Sequence, residues 1–547
     1  MEKKKILIIG GVAAGATAAA RARRLDENAE ITIIEKGPFV SFANCGLPYF
    51  ISGDIKRRAK LLLQTPEGFL GRYNVNVLIN TEAIDIKRDE KKVVVKTAEG
   101  TKELEYDKLI LAQGGSPIIP DIEGVNNDNV FKLWTIPDMD RIHKFIEQNQ
   151  PKNAVVVGGG FIGIEIAEAF KARGMNVTIV ELANQVMPNV DYEFGAMVKS
   201  VLEENGVNVL TGVKIDKITG NKAILSNNTE IDADLILFSI GVKPENILAK
   251  NAGLEVSQSG AVIVDEYMRT SDPDIYAAGD MVEILHKVSG RKSRIPLAGP
   301  ANRQGRIAAS NALGMNLKYN GALGTSVIKI FDYTLSFTGL SEKFASQCDF
   351  NVGVAYTFKD NQVTYYPGGT QLAFKLVYDK STNKIIGAQA FGIKGVEKRI
   401  DVIATALQAK MSLEDLAELD LAYAPPYNSA NDPVNIAAFV GQNNISGYSP
   451  CISPKEFLEK YDETKTLVLD VRTIGEAAKD PYENALHIPT DELRYRLNEI
   501  PTDKTIYILS KDGYLGHIAL RILKQKGYNK LYYITGGYSA LKWYLNN

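Results

Sequence analysis

The chain of 547 residues contains only three cysteines, four histidines and two tryptophans, and carries no excess of one charge. Each shortage excludes something. Three cysteines (Cys45, Cys348, Cys451) in so long a chain cannot build a disulfide framework. Four histidines without a Cys-x-x-Cys pair argue against a zinc site, and no metal is expected. The 63 basic residues are offset by 65 acidic ones, with no long basic block, so a general nucleic-acid binder is not expected. No apolar run reaches the roughly 18 residues that a membrane-spanning helix needs. The start, Met1 to Lys5 and then Ile6 to Ala20, superficially resembles an export signal, but it holds Gly10, Gly11 and Gly15 and runs straight into Arg21, Arg23 and Arg24. What is present is ordinary for a globular chain: 45% hydrophobic and 23% charged residues exclude global disorder. The length suggests about three to five domain-sized units. A soluble, cytoplasmic protein is expected.

Two glycine motifs organise the first half. Lys5–Ile9 reads as a buried strand, followed by Gly10-Gly11-Val12-Ala13-Ala14-Gly15, an alanine-rich helix through Leu25, and a second strand ending at Glu35. Val12 stands where the middle glycine is usual. Ala154–Val157 leads into Gly158-Gly159-Gly160-Phe161-Ile162-Gly163, a complete G-x-G-x-x-G, then a helix through Arg173 and a strand ending at Glu181. Each is a βαβ dinucleotide fingerprint. Glycines let the backbone approach a pyrophosphate, the helix N-terminus faces it with free N–H groups, and the acid receives a ribose hydroxyl. Two copies imply two dinucleotides.

A third segment, Thr270 to Asp280, ends in Gly279-Asp280 and resembles the second flavin motif of the two-dinucleotide flavoprotein reductases. Leu109 to Gly115 and Phe238 to Gly241 complete that pattern. The resemblance implies FAD on the N-terminal unit, with Gly10, Val12, Ala13, Gly15, Glu35, Lys36, Asn44, Gly114, Gly279 and Asp280 as its contacts. It implies the nicotinamide on Gly158, Gly160, Gly163, Glu181 and Gly241. Glu181 is followed by Leu182, Ala183 and Asn184, with no base for a 2′-phosphate, so NADH is favoured over NADPH.

Beyond Ser326 the texture changes to alternating strands (Ser326 to Asp332, Gln371 to Tyr378, Ile385 to Ala390) and a helix near Val396 to Lys410. In this superfamily such a domain forms a homodimer interface. The polar, turn-rich stretch from Gln442 to Pro454 reads as a linker. Past it, Leu467-Val468-Leu469-Asp470-Val471-Arg472, His487-Ile488-Pro489, Ile506-Tyr507-Ile508-Leu509 and Gly536-Gly537-Tyr538 form a series of strands and helices that resembles a rhodanese-like domain. The expected fold is α/β: two Rossmann-like dinucleotide-binding domains as in glutathione reductase, an α+β dimerisation domain and a rhodanese-like α/β domain. The expected boundaries are 1–115 and 246–325 for FAD, 116–245 for NAD, 326–440 for dimerisation, 441–455 for the linker and 456–547 for the rhodanese-like domain.

Cys45 lies in Ser41-Phe42-Ala43-Asn44-Cys45-Gly46-Leu47-Pro48-Tyr49, directly after the first βαβ unit. The dithiol members of the superfamily carry a second cysteine five residues on, where this chain has Phe50. A single thiol beside a flavin needs another sulfur, its own oxidised form or one from the substrate. This motif, the Gly-Gly-Val-Ala-Ala-Gly start and Ala422-Tyr423-Ala424-Pro425-Pro426-Tyr427 together resemble coenzyme A-disulfide reductases, and the C-terminal unit narrows this to their rhodanese fusions, some of which are NADH-dependent persulfide reductases.

The resemblance implies reduction of CoA disulfide, CoA persulfide or polysulfide through a Cys45–CoA mixed disulfide, with a lowered thiol pKa. It places CoA on Thr17, Arg21, Arg24, Ser41 and Asn44. Tyr365 and Tyr423 would serve the substrate sulfur across the dimer, with Tyr366 and Tyr427 as alternatives. Asn431 stands where family members have a lysine. The competing reading is an NADH oxidase holding Cys45 as a sulfenate. The peroxidases' histidine in the first glycine loop is Ala13 here, and His143, His286, His487 and His517 all lie far away in sequence. In the rhodanese-like unit the catalytic-loop cysteine is Ser510 and its arginine is Leu515, so sulfurtransfer there should be absent. Cys451 reads as incidental or as a sulfur relay, and Cys348 as structural.

Overall fold

The computed structural model describes residues 3–545 and divides into two compact units, Met1–Val186 with Glu203–Gly324, and Met187–Leu202 with Thr325–Asn547. In the first unit, strand Lys5–Ile9 is flanked by Glu30–Ile34 and Lys108–Leu111, with Asn76–Leu78 and Ile275–Ala277 at the edges of a five-stranded parallel sheet. Parallel sheets are covered on both faces, which is why these strands read as apolar runs without alternation. Helix Ala13–Leu25 buries Ala14, Gly15, Ala18, Ala19 and Ala22, small residues that let it lie close to helix Ala298–Ala312. Arg23, on the same helix, is buried and donates to the carbonyls of Tyr73, Asp26, Glu27, Ala29 and Asn74, so it is a structural cation. The second parallel sheet runs Val207–Thr211, Asn176–Glu181, Asn153–Val157, Leu235–Phe238, Val130–Lys132.

The second unit holds a five-stranded antiparallel sheet in the order Ser326–Ile330, Tyr333–Gly339, Ile385–Gly392, Gln371–Asp379, Val352–Asp360. Helices Val396–Gln408 and Pro433–Ile445 pack on it. The C-terminal sheet is parallel: Cys451–Ile452, Leu531–Ile534, Thr505–Leu509, Thr466–Asp470, Ala485–His487.

The segment 441–455, expected as a linker, differs from that reading. Helix Pro433–Ile445 runs into it, Cys451–Ile452 is the edge strand of the C-terminal sheet, and helix Pro454–Lys460 follows. Its polar residues are hydrogen-bonding groups of a packed junction. Asn444 donates to the Tyr378 hydroxyl (2.9 Å) and accepts from the Cys451 N–H (3.1 Å), and the fully buried Ser449 bonds His517 Nδ1 (2.8 Å).

A buried ion cluster joins the last helix, Gly537–Leu545, to the antiparallel sheet. Lys375 Nζ, with no exposed surface, lies 2.9, 2.8 and 2.7 Å from carboxylate oxygens of Asp191, Glu193 and Glu342. The Tyr356 and Tyr544 hydroxyls donate to the two oxygens of Glu193, each at 2.6 Å. Among the described residues no helix is long and apolar enough to cross a membrane, and no group of ligands could hold a metal ion.

Candidate functional site

The two fingerprints are built alike. Gly10 has φ +97° and a Cβ there would stand 2.3 Å from the Ala112 carbonyl oxygen, so only glycine fits the first turn. A Cβ on Gly15 would stand 1.8 Å from the Gly10 carbonyl oxygen, and one on Gly163 1.9 Å from that of Gly158. Each third glycine thus lets its helix close onto its own turn. No side chain caps helix Ala13–Leu25 at Val12 or helix Phe161–Ala172 at Gly160, and Gly160 has open space on its Cβ side. Both helix N-termini keep the donors and the positive dipole end that a pyrophosphate uses.

The acids repeat the pattern. Glu35 accepts from the Gly11 and Gly37 N–H groups, both at 2.9 Å, and Glu181 accepts from those of Gly159 and Ala183, both at 2.7 Å. Burial raises the Glu35 carboxyl above its ordinary range, against the two N–H bonds. Lys36 turns outward into an exposed ion pair with Glu82 (2.7 Å). Gly114 (φ +67°) has open space beside it, and next to it the buried Gln113 Oε1 has no hydrogen-bond partner, nor has Ser116 Oγ. Gly279 (φ +90°) donates to Gln304 (2.7 Å), and the Asp280 carboxyl is pushed up by burial with Arg294 opposing. Gly241 takes φ +112°. The open glycine cradle and orphaned polar atoms fit a flavin dinucleotide on the first sheet, and the open turn at Gly160 fits a second dinucleotide.

Cys45 is exposed on a single turn, Asn44–Gly46, that feeds helix Leu47–Ser52. Its thiol is pushed above the ordinary cysteine range, first by the protein packed around it and then by the negative charges of Glu165 and Asp280. The expected lowering of this thiol is therefore not supplied by the chain's own charges, because those that reach it are carboxylates.

The Glu165 charge that reaches this thiol, and the His143 ring packed on Phe50 of the helix that follows, were not foreseen. Tyr49 donates to Glu165 Oε1 (3.2 Å). Glu165 is pushed up to about 7, mainly by burial, with Glu168 adding to the shift and the Tyr49 bond opposing it. The available signal was a lone acid in the apolar start of the helix, Phe161-Ile162-Gly163-Ile164-Glu165-Ile166. His143, distant in sequence, meets the Phe50 ring at 5.2 Å between centroids, and its buried Nδ1 has no hydrogen-bond partner.

The proposed CoA residues fall on helix Ala13–Leu25 and the loop after the second strand. Thr17 Oγ1 donates to Asn302 (2.9 Å), and Arg21 Nε donates to Ser310 Oγ (3.0 Å). Burial, then Arg306, then Arg24 lower the Arg21 guanidinium, so three cations share one surface. Arg306 comes from helix Ala298–Ala312 and is invisible to a local reading. Ser41 takes φ +45° and its N–H donates to the Gly11 carbonyl (2.8 Å), fixing the loop that leads to Asn44 and Cys45.

In the second unit the hydroxyls of Tyr365 and Tyr423 lie 3.2 Å apart, and the rings are 74% and 47% exposed. Tyr366 and Tyr427 are exposed nearby in the chain, and Asn431 is exposed with its carbonyl taken by Ser429 (2.6 Å). Ser510 is fully buried and accepts from the Gly513 N–H (3.0 Å), while Leu515 packs against the apolar core. The Cys451 thiol, half-buried on the edge strand beside Tyr533, is pushed up to about 12 by burial.

Residues 4–305 match the pyridine nucleotide-disulphide oxidoreductase family. The chain belongs to that family. Residues 325–432 match its dimerisation domain and residues 453–543 the rhodanese-like domain. This oxidoreductase is similar to the solved structure of reduced Bacillus anthracis CoADR-RHD, with 41% identity and a TM-score of 0.97, covering 100% of this chain and 99% of that one. It is 37% identical over 444 residues to the NAD(P)H coenzyme A polysulfide/persulfide reductase of Pyrococcus horikoshii, covering 80% of this chain and 98% of the relative. It is also 35% identical over 439 residues to the NADH oxidase of Methanocaldococcus jannaschii, covering 79% of this chain and 98% of the relative. A flavin and a pyridine nucleotide are the cofactors of this oxidoreductase family.

Proposed function

We propose that the chain is an FAD-dependent, NADH-preferring reductase of CoA-linked disulfide, persulfide or polysulfide sulfur, working through Cys45 as a homodimer in the cytoplasm. The observation that carries this reading is a single exposed thiol on a turn next to the first nucleotide fingerprint, with Phe50 where a dithiol enzyme has its second cysteine. Three free cysteines suit a reducing compartment.

FAD would be held by Gly10, Val12, Ala13, Gly15, Glu35, Asn44, Gly114, Gly279 and Asp280, and the nicotinamide by Gly158, Gly160, Gly163, Glu181 and Gly241. Together they supply two electrons from NADH. Glu181, followed by the exposed Leu182, presents a carboxylate and no base where a 2′-phosphate would sit, which supports NADH. Arg21, Arg24 and Arg306 bind the CoA phosphates as charge-assisted donors.

The Cys45 thiolate attacks one sulfur of the CoA disulfide. A Cys45–S bond forms, the S–S bond breaks, and one CoA leaves as thiolate with the electron pair. Glu165 takes or holds the proton exchanged at Cys45, and a Tyr365 or Tyr423 hydroxyl protonates the leaving thiolate. Reduction of the mixed disulfide by two electrons returns the Cys45 thiolate and the second CoA. The rhodanese-like domain is non-catalytic in sulfur transfer, since its loop offers a buried serine hydroxyl that already accepts a backbone N–H.

An oxidase reading, with Cys45 as a sulfenate, is supported by the Methanocaldococcus jannaschii relative. Anaerobic NADH consumption with CoA persulfide or CoA disulfide, against aerobic consumption without thiol, separates the two. Anaerobic sulfur-dependent turnover above the oxygen rate is the expected result. Turnover only with oxygen would leave the oxidase.

A further inference from the structure

We propose that Arg399 is the positioning residue for the Tyr365–Tyr423 pair, an inference that rests on the reading that this pair serves the substrate sulfur. Arg399 lies in helix Val396–Gln408 and is 1% exposed. A buried guanidinium persists only when its donors are satisfied, and this one places them on two separate loops. Nη2 donates to the Asn361 carbonyl (3.0 Å) and to Asn428 Oδ1 (3.2 Å), and Nε donates to Asp432 Oδ1 (3.4 Å). Asp432 Oδ2 completes the ion pair at 3.2 Å, and Nη1 donates to Gly395 within the helix start (2.9 Å).

Each loop is also closed on itself. Asn361 Oδ1 accepts from the Thr370 N–H (2.8 Å) and its hydroxyl (3.2 Å), which fastens the base of the segment carrying Tyr365. Inside that segment Gln362 Nε2 donates to the Tyr366 and Pro367 carbonyls, both at 3.0 Å. Asn428 Nδ2 donates to the Ala422 carbonyl (3.4 Å), which closes the segment carrying Tyr423, and Asp432 caps helix Pro433–Ile445.

One buried cation therefore anchors both bases, and the loops meet again at their tips, through two exposed phenols 3.2 Å apart. A hydrogen bond between exposed hydroxyls adds little to stability, because water offers the same bonds. Such anchoring matters for a reaction, where a displaced group costs rate.

Arg399→Lys keeps the charge and loses the planar fork that reaches both loops. In the FAD-loaded full-length enzyme, the variant should lose CoA-disulfide turnover by roughly tenfold to hundredfold. NADH-to-ferricyanide turnover, which needs no tyrosine, should stay near wild type. Added to the Tyr365→Phe/Tyr423→Phe double variant, Arg399→Lys should cause little further loss, since it acts through that pair. Independent, multiplicative losses would overturn the proposal, as would wild-type turnover in Arg399→Lys.

The Tyr365 titration, isolated from the other tyrosines by subtracting the ultraviolet titration of the matched Tyr365→Phe variant, is a readout that does not pass through catalysis. Tyr365 ionises above the ordinary tyrosine value because it bonds Tyr423, and in Arg399→Lys that displacement should be lost; an unchanged titration also overturns the proposal. If Arg399→Lys does not fold, Asn428→Ala, which frees only the Tyr423 loop, should show the same two effects. If the Tyr365→Phe/Tyr423→Phe double variant leaves turnover intact, the catalytic reading of the pair fails, while the titration still decides whether Arg399 positions it.

Discussion

Glu165 stands where charge and burial conflict beside Cys45. Its carboxyl is raised from 4.5 to about 7, so between those pH values the folded chain holds a proton that the unfolded chain has lost. The sign follows: this group's contribution to stability is full below its unfolded value and is lost as pH rises through 7. Unfolding free energies from urea titrations between pH 5 and 8 should therefore fall for the wild type relative to Glu165→Gln, by up to about 3 kcal/mol across the window. Parallel curves would remove Glu165 as the titrating group. Arg306 gives a second test. Arg306→Ala should raise KM for the CoA substrate about tenfold, with NADH-to-ferricyanide turnover unchanged, as steady-state kinetics will show.

At this scale the sequence showed the residues whose neighbours are close in the chain: the glycines, Glu35, Glu181, Cys45. Arg306, His143 and Glu165 escaped because their relation to the site is set by helix packing and not by spacing. The Cys45 thiol shifts up and not down for the same reason, since the protein packed around it, and then Glu165 and Asp280, reach it from distant segments.

At the scale of elements, the parallel strands were legible because a strand buried on both faces is an unbroken apolar run. Strands Tyr333–Gly339 and Val352–Asp360 were not named, the first because it follows its neighbour with only two residues between them, so that both read as one alternating stretch. Polar content also misled at 441–455, where asparagine and serine satisfy a buried junction. Lys375 could not be anticipated in the middle of a buried strand, since its cost is offset by carboxylates from Asp191, Glu193 and Glu342. Lys375→Met leaves three acids without their cation and should destabilise the protein by about 3–5 kcal/mol. Tyr544→Phe removes one hydrogen bond to Glu193 and should cost about 1–3 kcal/mol. Denaturant unfolding of both variants checks the order; equal, small losses would mean that the cluster contributes no stability.

At the scale of the whole chain, domain content was legible from motifs, while the attachment of the rhodanese-like domain was not. Thr535 Oγ1 accepts from the Tyr356 N–H (3.0 Å), and Tyr544 bonds Glu193 (2.6 Å), so this domain completes the core of its unit. Deleting 452–547 should yield a chain that aggregates or melts well below the full-length protein in a thermal scan. A truncated protein with unchanged melting and assembly would mean that the contacts are incidental.

The central claim is that Cys45 itself carries the substrate sulfur. The most direct measurement is the intact mass of the protein after anaerobic incubation with CoA disulfide, before and after NADH. One CoA per chain, bound as a disulfide, should appear, vanish on adding NADH, and be absent in Cys45→Ser. A Cys45→Ser protein that still gains CoA and still turns over would contradict the account.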